Sequence, residues 1–399
     1  MKIKYHLALA ALCSLLAACG GASSDDTSNA NLNVVPLTVD KGPLGTSTDV
    51  PYVSVTVCAP GTDNCQTIDH VLVDTGSSGL RLLASALTNP AGLLGHTDTT
   101  KPVLAQCMTF GSGYTWGTLK SADIRLGGEI ARSTPIQLIN DPDLSTVPPA
   151  CQEQGANAGN LKSMNANGIL GISTSAHDCG SACADDPTVA QYFSCVGASC
   201  TPTLVALENQ IPNPITKFSR DNNGSVIVFP SAVDGMASLT GKLIFGIDTR
   251  DNNKLGNANI YPMNENMIAN VVINGVTGQA TLDTGSTGSY FNMAGSPPVC
   301  ASVPGLTDQY YCASGSTTVL FPSPAGPVAA TVNVRDPLQY MATYPHSAVN
   351  PSLAGPAGMP NTPDDGTWIM GLPFYFGRTV FTAIDGAQTS KATGPFVAF

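Results

Sequence analysis

The chain is short of charge, and of positive charge most of all: 17 Lys and Arg stand against 28 Asp and Glu, and charged residues make up only 11% of 399. A net charge of −11 leaves no basic face for a phosphate backbone, so nucleic acid is excluded as a partner. The scarcity of Lys and Glu removes the usual material of helix surfaces and argues against a helical bundle. Beyond the N-terminus no apolar run reaches the roughly 18 residues that a spanning helix needs. What the chain has in quantity is turn formers, 40 Gly and 30 Pro. That mixture reads as many short strands joined by loops, an all-β protein long enough for two domains.

The first residues read as a targeting signal and stand outside the fold. Lys2 and Lys4 give a positive start, His6 to Leu16 an apolar stretch, and Leu16-Ala17-Ala18-Cys19-Gly20 looks like a lipobox. Cleavage would fall before Cys19, which would carry the acyl chains (palmitate among them). Each buried methylene contributes about 0.8 kcal/mol, so several chains make a firm membrane anchor. Gly20 after the cysteine points to the outer membrane of the cell envelope. Residues 19–45 then read as a polar, flexible tether.

With Cys13 in the signal and Cys19 acylated, ten of the 12 cysteines remain, an even number that fits an oxidising compartment and up to five disulfides. Cys58 with Cys65 and Cys300 with Cys312 are natural local pairs, and Cys107 can pair with Cys151. Cys179, Cys183, Cys195 and Cys200 crowd one segment. There a metal site on His177, Cys179 and Cys183 competes with disulfides, and spacing favours the disulfides. No metal and no cofactor is expected.

The chemistry lies in a repeated motif. Val53, Val55 and Val57 alternate with Ser54 and Thr56, Pro60 to Asn64 supply a turn, and Gln66 to Val73 return into Asp74-Thr75-Gly76-Ser77. Further on, Asn274-Gly275 marks a hairpin whose return strand, Gln279 to Leu282, enters Asp283-Thr284-Gly285-Ser286. The tetrads lie 209 residues apart. Asn167-Gly168-Ile169-Leu170-Gly171 ends 97 residues after Asp74, and Trp368-Ile369-Met370-Gly371 ends 88 after Asp283. Two motifs at matched offsets argue for an internal duplication of one β lobe. The lobes meet near residues 215 to 240.

An Asp at the end of a buried strand is costly unless something uses it. Thr and Gly after it fit a sharp turn with close backbone approach, and the Ser can hydrogen-bond and orient the carboxylate. Two such turns about a pseudo-twofold axis would set two carboxylates side by side, where they share one proton. One then serves as base toward a water and the other as acid toward a carbonyl.

At these residues the chain resembles the pepsin-like aspartic proteases. His70 to Leu80 looks like that family's first catalytic motif and Ala280 to Thr287 its second. Phe110-Gly111-Ser112-Gly113, with Gly117 and Leu126-Gly127-Gly128 after it, resembles the flap hairpin. Val380 to Asp385 and Gly394 to Phe399 resemble its terminal strands. The resemblance spans roughly residues 50 to 399, with extra material around 140–200 and 295–365. It implies two pseudo-symmetric β lobes with a cleft between them, over 46–235 and 236–399, after a signal over 1–18. It implies an aspartic endopeptidase, monomeric, acting on peptide or protein. Asp74 and Asp283 would be catalytic, supported by Thr75, Gly76, Ser77, Thr284, Gly285 and Ser286. The alternative is a catalytically inactive binding lipoprotein on the same fold.

Three departures stand out. Phe110 occupies the flap position of a tyrosine. Gly79 and Arg81 stand where the family has Asn and Trp, which leaves Tyr114 or Trp116 as substitute flap partners or as hairpin packing. The segment before the first lobe is short and carries Asp25 and Asp26, so a basic inhibitory prosegment is absent from it.

Overall fold

The computed structural model describes residues 32–94, 102–186, 188–358 and 366–399. The signal, Cys13, Cys19, Asp25 and Asp26 lie outside those residues. In the first half the strands are β1 (Val34–Val39), β2 (Pro51–Cys58), β3 (Cys65–Asp74), β4 (Ser78–Leu83), β5 (Val103–Phe110), β6 (Gly113–Leu126), β7 (Glu129–Ile139), β8 (Gly168–Ile172), β9 (Tyr192–Val196) and β10 (Ser199–Pro202). Strands β2, β3, β8, β4, β7 and β6 pair in that order, and β6 closes back onto β2. Closure hides every edge of that ring. Alternation places Val55 and Val57 inside while Ser54 faces solvent, as period 2 requires. β4 is buried along its whole length because β8 and β7 cover both its edges.

The second half runs through β11 (Gly224–Val228), β12 (Leu239–Phe245), β13 (Ile260–Asn264), β14 (Met267–Ile273), β15 (Val276–Leu282), β16 (Ser289–Tyr290), β17 (Gly315–Phe321), β18 (Val328–Val334), β19 (Ala354–Gly355), β20 (Thr367–Met370), β21 (Thr379–Ala383) and β22 (Phe396–Ala398). Its pairing repeats the first half. The antiparallel hairpin β14–β15 corresponds to β2–β3, parallel β15–β20 to β3–β8, and antiparallel β16–β20 to β4–β8. Asn274 and Gly275 form the tight turn of the hairpin with φ of 52° and 79°, the left-handed pair such a turn needs.

One boundary differs from the sequence reading. The tether expected to reach residue 45 ends earlier, because β1 buries Val35, Leu37 and Val39 and pairs along its full length with β12. A three-residue apolar alternation gains enough from a sheet partner to order what the preceding polar run hides. The two halves also share a sheet. β1, β12, β11, β21, β22 and β13 form one antiparallel sheet drawing on both halves. Phe229, Leu243, Phe245 and Tyr261 carry the main apolar core across it.

All ten cysteines after Cys19 are paired: Cys58–Cys65, Cys107–Cys151, Cys179–Cys183, Cys195–Cys200 and Cys300–Cys312. The Cys179–Cys183 bond consumes the thiolates that the metal alternative required. His177, beside them, is pushed below its ordinary range by burial and by Lys217. Among the described residues the one cluster of metal-ligating groups is Cys300, Cys312 and Asp336, and its cysteines are bonded to each other.

Candidate active site

Asp74 ends β3 and Asp283 follows β15, so both sit where an interior strand runs out. The strand beside each is the apolar-apolar-glycine segment. Asp74 lies level with Gly171 in the parallel pair, and the Asp283 amide donates to Met370 O at 2.9 Å. The glycines are dictated by space. A Cβ on Gly171 would stand 2.8 Å from Ser77, and one on Gly371 only 1.9 Å from Gly288 O.

The two turns lock into each other. Thr75 Oγ1 donates to Leu282 O at 2.9 Å, and Thr284 Oγ1 donates to Val73 O at 2.7 Å. In return, the Thr284 amide donates to Thr75 Oγ1 at 3.0 Å and the Thr75 amide to Thr284 Oγ1 at 3.2 Å. Four buried bonds across the lobes therefore fix the relative position of the carboxylates. Gly76 and Gly285 complete the fit: a Cβ on either would approach the other half's aspartate, Asp283 Oδ1 or Asp74 Oδ1, to 2.8 Å.

Each carboxylate is oriented in the same way. The Gly76 amide donates to Asp74 Oδ1 at 2.7 Å and Ser77 Oγ donates to Oδ2 at 2.5 Å. The Gly285 amide donates to Asp283 Oδ1 at 2.8 Å and Ser286 Oγ to Oδ2 at 2.6 Å. Asp74 is nearly covered, whereas Asp283 keeps some contact with solvent although protein atoms crowd it. Burial, and then the charge on Asp74, push Asp283 up to about 7; the bonds from Ser286 and Gly285 pull the other way without winning. With the Asp74 carboxylate beside it, Asp283 therefore holds its proton through the acid range. The sequence-predicted residues Asp74, Thr75, Gly76, Ser77, Asp283, Thr284, Gly285 and Ser286 are thus brought together in one constellation.

The hairpin of β5 and β6 turns at Gly111 and Ser112, both exposed, with Phe110 half-buried before them and Gly113 after. Both its edges are occupied. β9 pairs with β5, while the Tyr114 amide donates to Ala156 O at 2.8 Å and the Ala158 amide to Tyr114 O at 2.9 Å. The Cys107–Cys151 disulfide ties it to the same insertion. Tyr114 and Trp116 are hairpin packing: both are buried, and Trp116 meets Phe193 edge-on at 5.3 Å.

The partner of Phe110 is Arg81, whose guanidinium carbon lies 5.8 Å from the ring centroid. Arg81 is fully buried on β4 and pairs with Asp178 at 2.9 Å. Its Nη1 donates to Ser78 O at 2.8 Å, next to the first active turn. Asp178 also accepts from Gln106 Nε2 and, at 2.7 Å, from the Tyr192 hydroxyl. Sequence reading noticed Arg81 only as a departure and missed Asp178, Gln106 and Tyr192. Asp178 sits between His177 and Cys179, where the cysteines drew attention away from it.

Two interlocked Asp-Thr-Gly-Ser turns on an all-β, two-lobed frame define the class of molecule: a bilobal β protein with one paired-carboxylate site between its lobes, the pepsin-like architecture the resemblance implied. Residues 29–399 match the model of a family described as "Protein of unknown function (DUF3443)", and the chain belongs to that family. No curated protein matches the sequence. Among solved structures, the aspartic proteinase from Irpex lacteus is similar at 16% identity with a TM-score of 0.48, covering 92% of this chain and 96% of that one.

Proposed function

We propose that the protein is an exported, lipid-anchored aspartic endopeptidase, working as a monomer on peptide or protein. The observation that carries this is the interlock of Thr75 and Thr284, which holds two carboxylates, each with a Gly amide and a Ser hydroxyl on it, at the floor between the lobes. A carboxyl pair sharing a proton can handle both ends of amide hydrolysis. Ionised Asp74 takes a proton from water as its oxygen bonds to the scissile carbonyl carbon. Protonated Asp283, the side pushed up, gives its proton to the carbonyl oxygen. Collapse of the tetrahedral adduct breaks the C–N bond: the proton on Asp74 passes to the amine nitrogen, and one hydroxyl of the adduct returns its proton to Asp283 as the C=O bond re-forms. Anchoring through acylated Cys19, in the outer membrane of the cell envelope, completes the reading and rests on the sequence.

The alternative, a binding lipoprotein, draws on one observation: the β5–β6 hairpin is held at both edges, by β9 over Val103–Gln106 and by residues 156–158 at Tyr114, so its base is fixed. Incubating the purified chain with a peptide library across pH separates the two. Cleavage at acid to neutral pH that stops with a statine-type inhibitor supports the peptidase. Binding of peptides without cleavage at any pH favours the alternative. Loss of membrane attachment in Cys19→Ser tests the anchor, and unchanged attachment would remove it.

A further inference from the structure

The interlock of the two turns is symmetric except at one atom. Thr284 Oγ1 has two protein partners, Val73 O and the Thr75 amide. Thr75 Oγ1 has three: Leu282 O, the Thr284 amide and, at 3.1 Å, the hydroxyl of Tyr375. Its single proton goes to Leu282 O, so it receives the tyrosine's, and the donor is Tyr375. That residue closes the short helix Leu372–Tyr375 and is 1% exposed. The helix hangs from the second half, since the Leu372 amide donates to Ser286 O at 2.9 Å. The bond therefore reaches from behind one aspartate to the grip that holds the other. Counting four residues past the glycine of each apolar segment gives Tyr375 in one half and Ser175 in the other. Ser175 does not touch the interlock; its hydroxyl accepts from Asn266 Nδ2 at 3.4 Å.

We infer that Tyr375 is a positioning residue for the carboxylate pair, acting through Thr75 and setting how closely Asp74 is held against Asp283. This rests on the peptidase reading above. With both acceptor sites of Thr75 Oγ1 filled and its proton committed, the hydroxyl cannot rotate away, and the turn carrying Asp74 keeps its place against Gly285. Burial and the nearby aspartates hold the phenol far above its ordinary range, so it remains a donor at every pH of interest. Without the hydroxyl the pair relaxes apart. The charge of Asp74 then weighs less on Asp283, which loses its proton at lower pH. The tyrosine lies beneath the floor and touches no substrate, so the loss belongs to kcat.

The test is steady-state peptide cleavage against pH by the full chain, its Tyr375→Phe variant and, as the mate in the other half, Ser175→Ala. Tyr375→Phe is expected to lower kcat about tenfold, leave KM within about twofold, and move the alkaline limb down by about half a pH unit. Ser175→Ala should superimpose on the parent. Superposition of Tyr375→Phe on the parent, an equal shift in Ser175→Ala, or a change confined to KM overturns the inference; failure of Tyr375→Phe to fold assigns the bond to stability and overturns it too. A parent that cleaves nothing at any pH defeats the peptidase reading alone. The positioning is then read from unfolding free energy against pH, where Tyr375→Phe should lower the midpoint, and coincident curves overturn it.

Discussion

The two halves of this chain present the same strand pairings and the same four-residue turn, yet they surround the turn differently. Seven residues past each aspartate stand Arg81 and Tyr290. Arg81 pairs with buried Asp178 and lies against the hairpin ring. Tyr290 donates to Asp308 at 2.5 Å, and that carboxylate is open to solvent. In the first half the strands close into a ring, and that half holds four of the five disulfides among the described residues; in the second, β18 pairs there with β17 alone. What duplication preserved is the apparatus that aims two carboxylates. What diverged is what braces each one.

The largest effect should come from the shared apparatus itself. Asp74→Asn and Asp283→Asn are each expected to cut peptide cleavage by about a thousandfold or more, with the double variant no worse than either. Circular dichroism should show the fold retained, because Asn keeps the turn's amide bonds. Equal residual activity in parent and single variants would take both residues out of the mechanism, and with them the premise that the halves act as one unit.

Next is the contrast between Arg81 and Tyr290. Arg81→Met leaves Asp178 buried and without its cation, which should cost about 3–5 kcal/mol. Tyr290→Phe leaves an aspartate that water can satisfy and should cost about 1 kcal/mol. Denaturant unfolding of the two variants measures both. Similar costs would mean that the buried pair is not what distinguishes the first half.

Titration gives a third, somewhat smaller effect. Asp283 is raised in the folded protein, to about 7, so the folded state binds the extra proton. Its contribution to stability is full below the unfolded value of about 4 and is lost as pH rises through 7. Between pH 5 and 8 the unfolding free energy should fall by roughly 2–3 kcal/mol on this account, and Asp283→Asn should remove that slope. Asp178, also raised by burial ahead of the opposing pull of Arg81, contributes in the same direction and should persist in Asp283→Asn. A variant with an unchanged slope would assign it to Asp178 alone.

How much of this the sequence disclosed follows from distance along the chain. The turns, the Asn274-Gly275 hairpin and the Cys58–Cys65 and Cys300–Cys312 bonds are local, and residues within a dozen positions specify them. Gly171 and Gly371 were legible because duplication printed the same pattern twice. Tyr375 was not, since its partner Thr75 is 300 residues away and its mate in the other half is a serine. β1 was missed for the same reason: its period of 2 is too short to stand out until β12, some 200 residues on, supplies the edge. Asp178 looked like part of a cysteine-rich loop, and only the fold places it beneath Arg81.

The smallest effect concerns the disulfides that brace each half. Cys107–Cys151 closes a span of 44 residues and Cys300–Cys312 one of 12. The chain-entropy relation gives about 4 kcal/mol for the longer loop and about 3 for the shorter, a difference of about 1 kcal/mol. Replacing each pair by serines and comparing unfolding midpoints tests that ordering. The two should also differ in a way that loop entropy does not describe. Cys107 sits in β5, whose hairpin is zipped to residues 156–158, whereas Cys300 and Cys312 close a loop outside the second half's sheet. Removing the longer bond should therefore raise amide exchange at Gly113, Tyr114 and Ala158 above the level its stability loss alone explains. Exchange there should stay at parent levels when Cys300–Cys312 is removed. If both variants loosen the hairpin equally, the disulfide acts through global stability, and the first half owes its fixed wall to the β9 and 156–158 pairings instead.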